Sequence, residues 1–444
     1  MPILDLPTSD YPFRRRQLMQ KMHDSAVAII PTAVPKQRNS DVQYPFRGDS
    51  DFLYLTGFEE PEAVLVLIPG HSEGEQILFC RPRDPARETW DGRRAGLEGA
   101  LAQCQVDRCY SIHDLNEQIP ALLEGRELLF YPMGQNSDFD ARVMHWRNLA
   151  KSKIRQGIRY PQEVVDVGGL VHEMRLFKDP AELECMRAAV GISGAGHRHA
   201  MRQCQPGMME YALCSEIEHV FRRLGSPSVA YPSIVGGGEN ACILHYTENN
   251  AELRDGDLVL IDAGAEVAGY AGDITRTFPV NGVYSPAQRE IYEIVLAAQE
   301  AGIAAVQAGR PVSDYHDEAV KVLVDGLRDL KILSGSRDAL IEQGAYKAFY
   351  MHGTGHWLGL DVHDVGHYRN KDKTSRKLES GMVLTVEPGL YFAPANLAVP
   401  ERWRGIGIRI EDDVVVTAAD PEILSQNVPK KVADIEAMMA AGPA

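Results

Sequence analysis

Four short runs in the second half of this chain each carry, or end on, a side chain that can bind a metal ion. The five side chains are one imidazole and four carboxylates: Asp262, Asp273, His356, Glu387 and Glu411. A carboxylate at the end of a buried strand is costly unless it is paired or bound to a cation. Together, the five side chains could hold two adjacent divalent cations, an arrangement that activates water.

The first two carboxylates lie in a predicted hairpin. Apolar β-forming residues precede Asp262 and follow Asp273, and a glycine-containing stretch joins them. A turn centred between Val267 and Ala268 would place the two carboxylates opposite each other, with Cβ atoms roughly 4.5–5.5 Å apart. A bulge at a nearby glycine would change this register. The alternative is a pair of solvated aspartates on a surface hairpin.

The imidazole belongs to a run rich in histidine and glycine. Four of the 14 histidines of the chain fall between His352 and His367, and His356 is one of them. Glycines beside them let backbone segments approach closely. The HExxH spacing of many zinc sites is absent, so this run by itself names no metal.

The last two carboxylates follow strand-like patterns. Residues 383–386 form an apolar strand that ends on Glu387 before a Pro-Gly turn. In residues 405–416, a period of two puts three isoleucines on one strand face and Arg409 and Glu411 on the other. The alternative for this run is an ordinary edge strand with a solvated acidic face.

Composition excludes several classes of protein. The net charge of −16 argues against binding to nucleic acid or to an anionic membrane. No apolar run reaches the length of a transmembrane helix, and the first residues lack the pattern of a secretory signal. Seven cysteines without CxxC pairs suggest free thiols. We therefore expect a cytoplasmic protein.

The 444 residues are too many for one hydrophobic core and suit two domains. We expect an α/β domain over residues 1–175 and a second domain over 176–444, where Asp179-Pro180 begins a helix. The first domain is predicted to contain strands over 63–68, 76–80 and 127–131 and a helix over 114–123.

The second domain contains a weak internal repeat. Asp179-Pro180 and Ser285-Pro286 each begin a helix, each helix is followed by a break and a second helix, and strands with candidate ligands come next. Two such units folded face to face would close a shared sheet around a site between them.

Together, the four runs resemble the pita-bread metallopeptidases, which include methionine aminopeptidase, prolidase and aminopeptidase P. The resemblance to aminopeptidase P is closest and implies an α/β N-terminal domain followed by an α+β pita-bread (creatinase/aminopeptidase-like) catalytic domain. It rests on Asp-Ile-Thr-Arg-Thr-Phe (273–278), His-Gly-Thr-Gly-His-Trp-Leu-Gly-Leu-Asp-Val-His-Asp (352–364), Val-Glu-Pro-Gly-Leu-Tyr (386–391), Gly-Ile-Arg-Ile-Glu-Asp (407–412) and, in the first half, Asp-Ser-Asp-Phe-Leu-Tyr (49–54).

The resemblance implies two divalent metal ions in each subunit. Asp262 would bind one ion, His356 and Glu387 would bind the other, and Asp273 and Glu411 would bridge them. Glu387 would also accept the proton of the attacking water. Ligands that are mostly carboxylates favour a hard ion, so we expect Mn²⁺ rather than zinc.

Further site residues are implied by the same resemblance. Arg409 would orient the carboxylates. His363 would contact the scissile carbonyl and His245 the amide nitrogen, so replacing either with alanine should abolish turnover but keep the metals. His352 would help to line the pocket for the second residue of the substrate.

Two further pocket residues and the assembly are implied as well. Trp90 and Asp41 would contribute to the substrate pocket, in some family members from a neighbouring subunit. We therefore expect a homo-oligomer, either a tetramer or a dimer. A tryptophan such as Trp90 is more often a packing residue, and this alternative stays open.

The expected substrate is a peptide with proline at position two, cut after its first residue. The X-Pro bond is a tertiary amide without an N–H, and a site that recognises the pyrrolidine ring by shape would supply the specificity. The first alternative is a prolidase, which shares the five ligands and cleaves only dipeptides. The second is a non-catalytic peptide-binding protein on the same fold, which is disfavoured because all five ligands are present.

Overall fold

The structure, a computed structural model, describes residues 6–442. These residues form two compact units, one over 9–175 and one over 176–442 that also includes residues 6–8. In the described part of the chain, every helix is too short or too polar to pass through a membrane.

The N-terminal unit combines helices with one six-stranded sheet and a small hairpin. Its strands are β1 Ala26–Pro31, β2 Gln37–Asn39, β3 Val42–Gln43, β4 Val64–Leu67, β5 Gln76–Cys80, β6 Arg108–Ser111, β7 Leu128–Phe130 and β8 Glu163–Val165. Its helices are α1 Tyr11–Lys21, α2 Ser50–Thr56, α3 Pro85–Asp91, α4 Gly96–Cys104, α5 Leu115–Leu122, α6 Ser137–Ser152 and α7 Gly168–Leu176.

The sheet has the order β6-β5-β4-β1-β7-β8, and β4 alone of these six strands runs antiparallel to its neighbours. Helices cover a sheet whose central strand β1 is almost entirely buried and apolar, as expected for strands covered on both faces. The predicted strand over 76–80 is confirmed residue for residue. The other three predicted elements of this unit are confirmed and are one residue shorter at each end.

The C-terminal unit contains six helices and eleven short strands among its described residues. The helices are α8 Pro180–Gln203, α9 Glu210–Arg223, α10 Pro286–Ala305, α11 Asp314–Asp329, α12 Arg337–Glu342 and α13 Val432–Ala440. The strands are β9 Ser228–Val229, β10 Ile234–Gly237, β11 Leu258–Asp262, β12 Ala265–Val267, β13 Tyr270–Ala271, β14 Thr275–Pro279, β15 Val383–Val386, β16 Gly389–Tyr391, β17 Gly407–Arg409, β18 Asp412–Val415 and β19 Glu422–Ile423.

The predicted repeat is visible in this order of elements. Helices α8 and α9 precede β10, β11 and β14, and helices α10 and α11 precede β15 and β18. Both α8 and α10 begin with a complete capping box, formed by Asp179 with Glu182 and by Ser285 with Gln288. The strands form separate sheets of two or three strands, β10-β11-β14, β13-β12-β9, β15-β18-β19 and β16-β17, rather than the single shared sheet that we expected.

The predicted hairpin forms with a different register. Its turn consists of Ala268 and Gly269, whose φ angles of 51° and 82° are both positive, as in the type I′ turns that join two-residue hairpins. This turn lies one residue further along the chain than we predicted. Asp262 therefore pairs with Thr275. The prediction that Asp262 lies opposite Asp273 is wrong.

The strand predicted over 405–416 is interrupted. Strand β17 pairs with β16, whereas β18 pairs with β15 and β19, and Ile410 and Glu411 lie between them. The acidic side is buried: Glu411 is 2% exposed and Arg409 is 3% exposed. The alternative of a solvated edge strand is therefore wrong, and this buried carboxylate needs partners.

The capping box of α10 yields a first prediction. Replacing Ser285 with alanine removes the side-chain oxygen that accepts from the N–H of Gln288, so the free energy of unfolding should fall by about 1 kcal/mol. Ser313 precedes α11 without a side-chain capping bond, so Ser313→Ala should change stability by less than about 0.5 kcal/mol. Urea denaturation followed by circular dichroism measures both; equal effects would contradict the capping role.

Candidate active site

One cavity of about 600 Å³ in the C-terminal unit brings together nine of the eleven predicted site residues. Its lining includes His245, Asp262, Asp273, His352, His356, His363, Glu387, Arg409 and Glu411. The other two, Trp90 and Asp41, belong to the N-terminal unit. Trp90 lies on α3 with its side chain 86% exposed, which excludes a packing role within its own unit, and Asp41 is exposed in the turn between β2 and β3.

The histidine- and glycine-rich run lies against β15. The N–H of Thr385 donates to the carbonyl of His356 at 2.9 Å, and the N–H of Glu387 donates to the carbonyl of Thr354 at 2.7 Å. A Cβ atom on Gly355 would lie 1.9 Å from the carbonyl oxygen of Thr385, so only glycine permits this approach. These contacts bring the two side chains together, with His356 Nε2 at 3.7 Å from Glu387 Oε1.

Two further carboxylates approach the same imidazole. The N–H of Asp273 donates to the carboxylate of Asp413 at 2.9 Å, and the hydroxyl of Thr275 donates to Glu411 Oε2 at 2.7 Å. His356 Nε2 lies 3.4 Å from Asp273 Oδ2. The possible ligand atoms of Asp273, His356 and Glu411 all lie within 4.8 Å of one another. These three residues could therefore share one metal ion.

Arg409 and Tyr231 bind Asp262, the fourth candidate carboxylate ligand. Arg409 Nη2 donates to Asp262 Oδ2 at 2.6 Å. The hydroxyl of Tyr231 lies 2.6 Å from Asp262 Oδ1 and 2.5 Å from Asp273 Oδ1. A phenol carries one proton and can donate to only one of these carboxylates at a time. Tyr231 therefore couples the positions of two candidate ligands.

Tyr231 is a residue of the site that was not predicted from the sequence. The residue lies in a short Ala-Tyr-Pro-Ser segment just after β9, with no spacing that marks it as a ligand neighbour. It is separated from Asp262 by 31 positions and from Asp273 by 42, so only the folded chain brings the three together. No signal in this single sequence could have identified it.

The electrostatics of the cavity favour a bound cation. Burial raises the pKa of Glu387 to about 7, and it raises the pKa of Asp262 and, well above the ordinary value, that of Glu411. For Glu411, the neighbouring negative charges add to the effect. Burial would lower the pKa of Arg409, but Tyr391 and the surrounding carboxylates hold it well above the usual value.

The orientation of His356 also fits a metal ligand. Its Nδ1 donates to the carbonyl of Trp357 at 2.9 Å, so Nε2 faces the carboxylates. A histidine that donates through one nitrogen to a carbonyl and presents the other is the usual arrangement at metal sites. Burial would lower its pKa, but the hydrogen bond to Asp273 and the charges of Asp273 and Glu387 raise it to about 9.

The remaining histidines occupy different parts of the cavity. His352 Nε2 accepts from the hydroxyl of Tyr391 at 2.8 Å, and Arg409 Nη1 donates to that same hydroxyl at 3.2 Å. Burial lowers the pKa of His352 to about 4, which leaves it neutral near pH 7. His245 and His363 are exposed, and the ring of His363 lies 4.2 Å from that of His356.

Apolar side chains form part of the cavity lining. They are Pro232, Ile234, Leu244 and Val362. The cavity thus combines buried carboxylates and imidazoles with an apolar surface, which is the composition expected of a site that binds an organic ligand and acts on a polar bond.

Comparison with known proteins agrees with this geometry. Residues 184–418 match the profile of metallopeptidase family M24, and residues 11–131 match that of the aminopeptidase P N-terminal domain. The chain is 48% identical to an Xaa-Pro aminopeptidase of Escherichia coli over 442 residues, which covers 98% of this chain and 99% of that protein. It is 46% identical to an Xaa-Pro aminopeptidase of Haemophilus influenzae, with 98% of each covered.

Solved structures of aminopeptidases are also similar to this chain over nearly its whole length. Aminopeptidase PepP of Pseudomonas aeruginosa is similar with a TM-score of 0.96 and 52% identity, covering 98% of both chains. Zinc-substituted aminopeptidase P of Escherichia coli, in complex with product, is similar with a TM-score of 0.94 and 48% identity, covering 97% of this chain and 98% of that one.

The chain belongs to metallopeptidase family M24. The relatives from Escherichia coli and Haemophilus influenzae are Xaa-Pro aminopeptidases matched over their full length, so the predicted enzyme class is confirmed and is favoured over prolidase. The fold class is confirmed too: an α/β N-terminal domain precedes a pita-bread catalytic domain.

The contacts of Tyr231 yield a second prediction. Tyr231→Phe removes the hydroxyl between Asp262 and Asp273, and loss of such an outer partner typically weakens metal binding about 10–100-fold. Titration of metal-stripped protein with Mn²⁺ by calorimetry measures the change. Tyr284→Phe is the matched control: its buried hydroxyl donates to the carbonyl of Thr277, not to a candidate ligand, so this variant should keep the Mn²⁺ affinity of the wild type. Equal Mn²⁺ affinities for both variants would refute the role of Tyr231.

Proposed function

We propose that the protein is a dinuclear-metal aminopeptidase that removes the first residue from peptides with proline at position two. The observation that carries this proposal is the convergence of five candidate ligands, from four separate runs of the sequence, in one cavity. Three of them already offer ligand atoms within 4.8 Å of one another. The full-length similarity to Xaa-Pro aminopeptidases supports the substrate class.

Each proposed ligand has a role. Asp262 would bind one ion, His356 and Glu387 the other, and Asp273 and Glu411 both. Because the donors are mostly carboxylate oxygens, we propose Mn²⁺ as the ion. When bound, two such ions would lower the pKa of water and polarise the scissile carbonyl.

Protein groups would perform the remaining tasks. Glu387 would accept the proton of the attacking water as a general base. His363 and His245 reach solvent within the cavity, where His363 would donate to the developing oxyanion and His245 would contact the scissile amide. Arg409 would hold Asp262 directly and would support His352 through Tyr391.

The apolar lining supports recognition of proline. The amide of an X-Pro bond has no N–H to donate, so a site for this bond has to select the pyrrolidine ring by shape and apolar contact. The four apolar residues of the cavity provide such a surface, and His352 would complete it on the polar side.

We propose further that residues 1–175 and 176–444 are separate domains, which the division into two compact units supports. Subunits would associate as a tetramer or a dimer, since a tryptophan as exposed as Trp90 is enriched at protein interfaces. In that assembly Trp90 and Asp41 would reach a neighbouring substrate pocket. Seven free thiols fit a reducing, cytoplasmic location.

A peptide assay tests the main proposal. Metal-stripped protein should release the first residue from an Xaa-Pro-Xaa tripeptide only after Mn²⁺ is added, and should leave the matching Xaa-Ala-Xaa tripeptide intact. Amino-acid analysis of the products measures this. Cleavage of an Xaa-Pro dipeptide with an inert tripeptide would indicate a prolidase, and no cleavage of either, with metal bound, would indicate a peptide-binding protein.

Two alanine variants test the residues assigned to the substrate. His363→Ala and His245→Ala remove groups that would contact the carbonyl and the amide, so each should lower kcat at least about 100-fold. Neither residue is a proposed ligand, so both variants should retain the metal content of the wild type. Metal analysis by mass spectrometry and steady-state kinetics check this; loss of metal in either variant would contradict its assignment.

A further inference from the structure

A buried ion pair lies directly behind the exposed His363. Lys178 Nζ is 2.9 Å from Asp364 Oδ2, and each side chain is only 1% exposed. Taking two charges out of water costs so much that a buried pair of this kind is often no more stable than apolar residues of similar volume. Stability alone therefore does not explain the pair, and Asp364 adjoins His363, a residue of the cavity.

The loop carrying His363 is shaped around this pair. A Cβ atom on Gly359 would lie 2.1 Å from Asp364 Oδ2 and 3.0 Å from Lys178 Cε, so a larger residue would displace the pair. The carbonyl of Gly359 accepts from the N–H of Ala271 at 2.9 Å. The N–H of Asp364 donates to the carbonyl of Trp357 at 2.9 Å, which closes the loop.

Lys178 also contacts the segment that leads to Glu387. Its N–H donates to the carbonyl of Gly381 at 2.8 Å, two residues before β15 begins. The same strand accepts from the loop, because the N–H of Leu358 donates to the carbonyl of Val383 at 3.1 Å. Lys178 thus connects the segment that leads into β15, and so to Glu387, with the loop that carries His363.

We propose that Lys178 and Asp364 are positioning residues for His363, an inference that rests on the proposed function. The imidazole of His363 is exposed in the cavity, so burial of the ring does not hold it in place. Its ring lies 4.2 Å from that of His356, and the position of its Cα atom depends on the backbone of residues 363–364, which the Lys178–Asp364 pair anchors from the buried side. Small displacements of a catalytic group lower the rate strongly, because the reacting atoms must be aligned.

Three variants separate positioning from stability. Lys178→Met and Asp364→Leu each leave one buried charge without its partner, and the melting temperature should fall by roughly 5–15 °C. The double variant replaces the pair with apolar side chains and should regain most of that loss. All three should lower kcat by about 10–100-fold, with a smaller change in KM and with the Mn²⁺ content of the wild type.

The double variant is decisive because its stability is restored. Low kcat with a recovered melting temperature supports positioning; recovery of both would overturn the proposal and leave the pair a purely structural role. It also keeps the test valid if a single variant does not fold. Unchanged kcat in a folded single variant would overturn the proposal as well.

A matched control comes from another buried ion pair. Arg175 Nη1 lies 2.8 Å from Asp51 Oδ1 in the N-terminal unit, with side chains 3% and 8% exposed. Arg175→Met should lower the melting temperature and leave kcat within about twofold of the wild type. A loss of kcat equal to that of Lys178→Met would show that destabilisation alone lowers activity, which contradicts the proposal.

Failure of the positioning inference can be distinguished from failure of the proposed function. If the wild type cleaves no Xaa-Pro peptide, the proposed function fails, whatever the variants do. Crystal structures then still test the positioning: the imidazole of His363 should be displaced or disordered in the Lys178→Met/Asp364→Leu variant and ordered in the wild type. An unmoved imidazole would overturn the inference.

Discussion

The concentration of negative charge in the cavity is the constraint on which the rest of the catalytic unit depends. Buried carboxylates are expensive unless they are paired, hydrogen-bonded or bound to cations. The surrounding residues meet this cost in part: Arg409 donates to Asp262, and Thr275 donates to Glu411. Burial, and for Glu411 also the neighbouring carboxylates, still holds the pKa of Glu387 and Glu411 above the ordinary value, so these donors offset the cost only partly. The proposed pair of divalent ions would supply the remainder.

The fold brings these charges together through backbone contacts between short strands and irregular segments. Among the described residues, the ligand candidates lie at the ends of strands in short sheets, at a strand break and in a glycine-rich loop. The close approach of Gly355 to Thr385 joins that loop to β15, and Gly359 accommodates the Lys178–Asp364 pair. Such contacts leave little freedom for the side chains that face the cavity.

Local sequence signals predicted the local parts of this structure. The caps at Asp179 and Ser285, and the strand ending before Glu387, depend on residues a few positions apart. The hairpin register was wrong because it depends on which two residues adopt positive φ in the turn, and an alanine at the first of these positions gives little warning. The long-range contacts around the site could not be predicted from the sequence. Lys178 and Asp364, for example, are 186 positions apart, so only the tertiary structure pairs them.

The burial of the Glu387 carboxyl has a consequence for protons. In an unfolded chain, Glu387 would titrate near pH 4.3, approximately; in the fold its pKa is about 7. Between these values the folded, metal-free protein holds a proton that the unfolded chain has lost, so this group's contribution to stability falls as pH rises through that window. Metal binding requires deprotonated ligands and must expel such protons. The site is therefore a proton-for-metal exchanger, whose apparent affinity for divalent ions increases with pH as Glu387 and, at higher pH, His356 lose their protons.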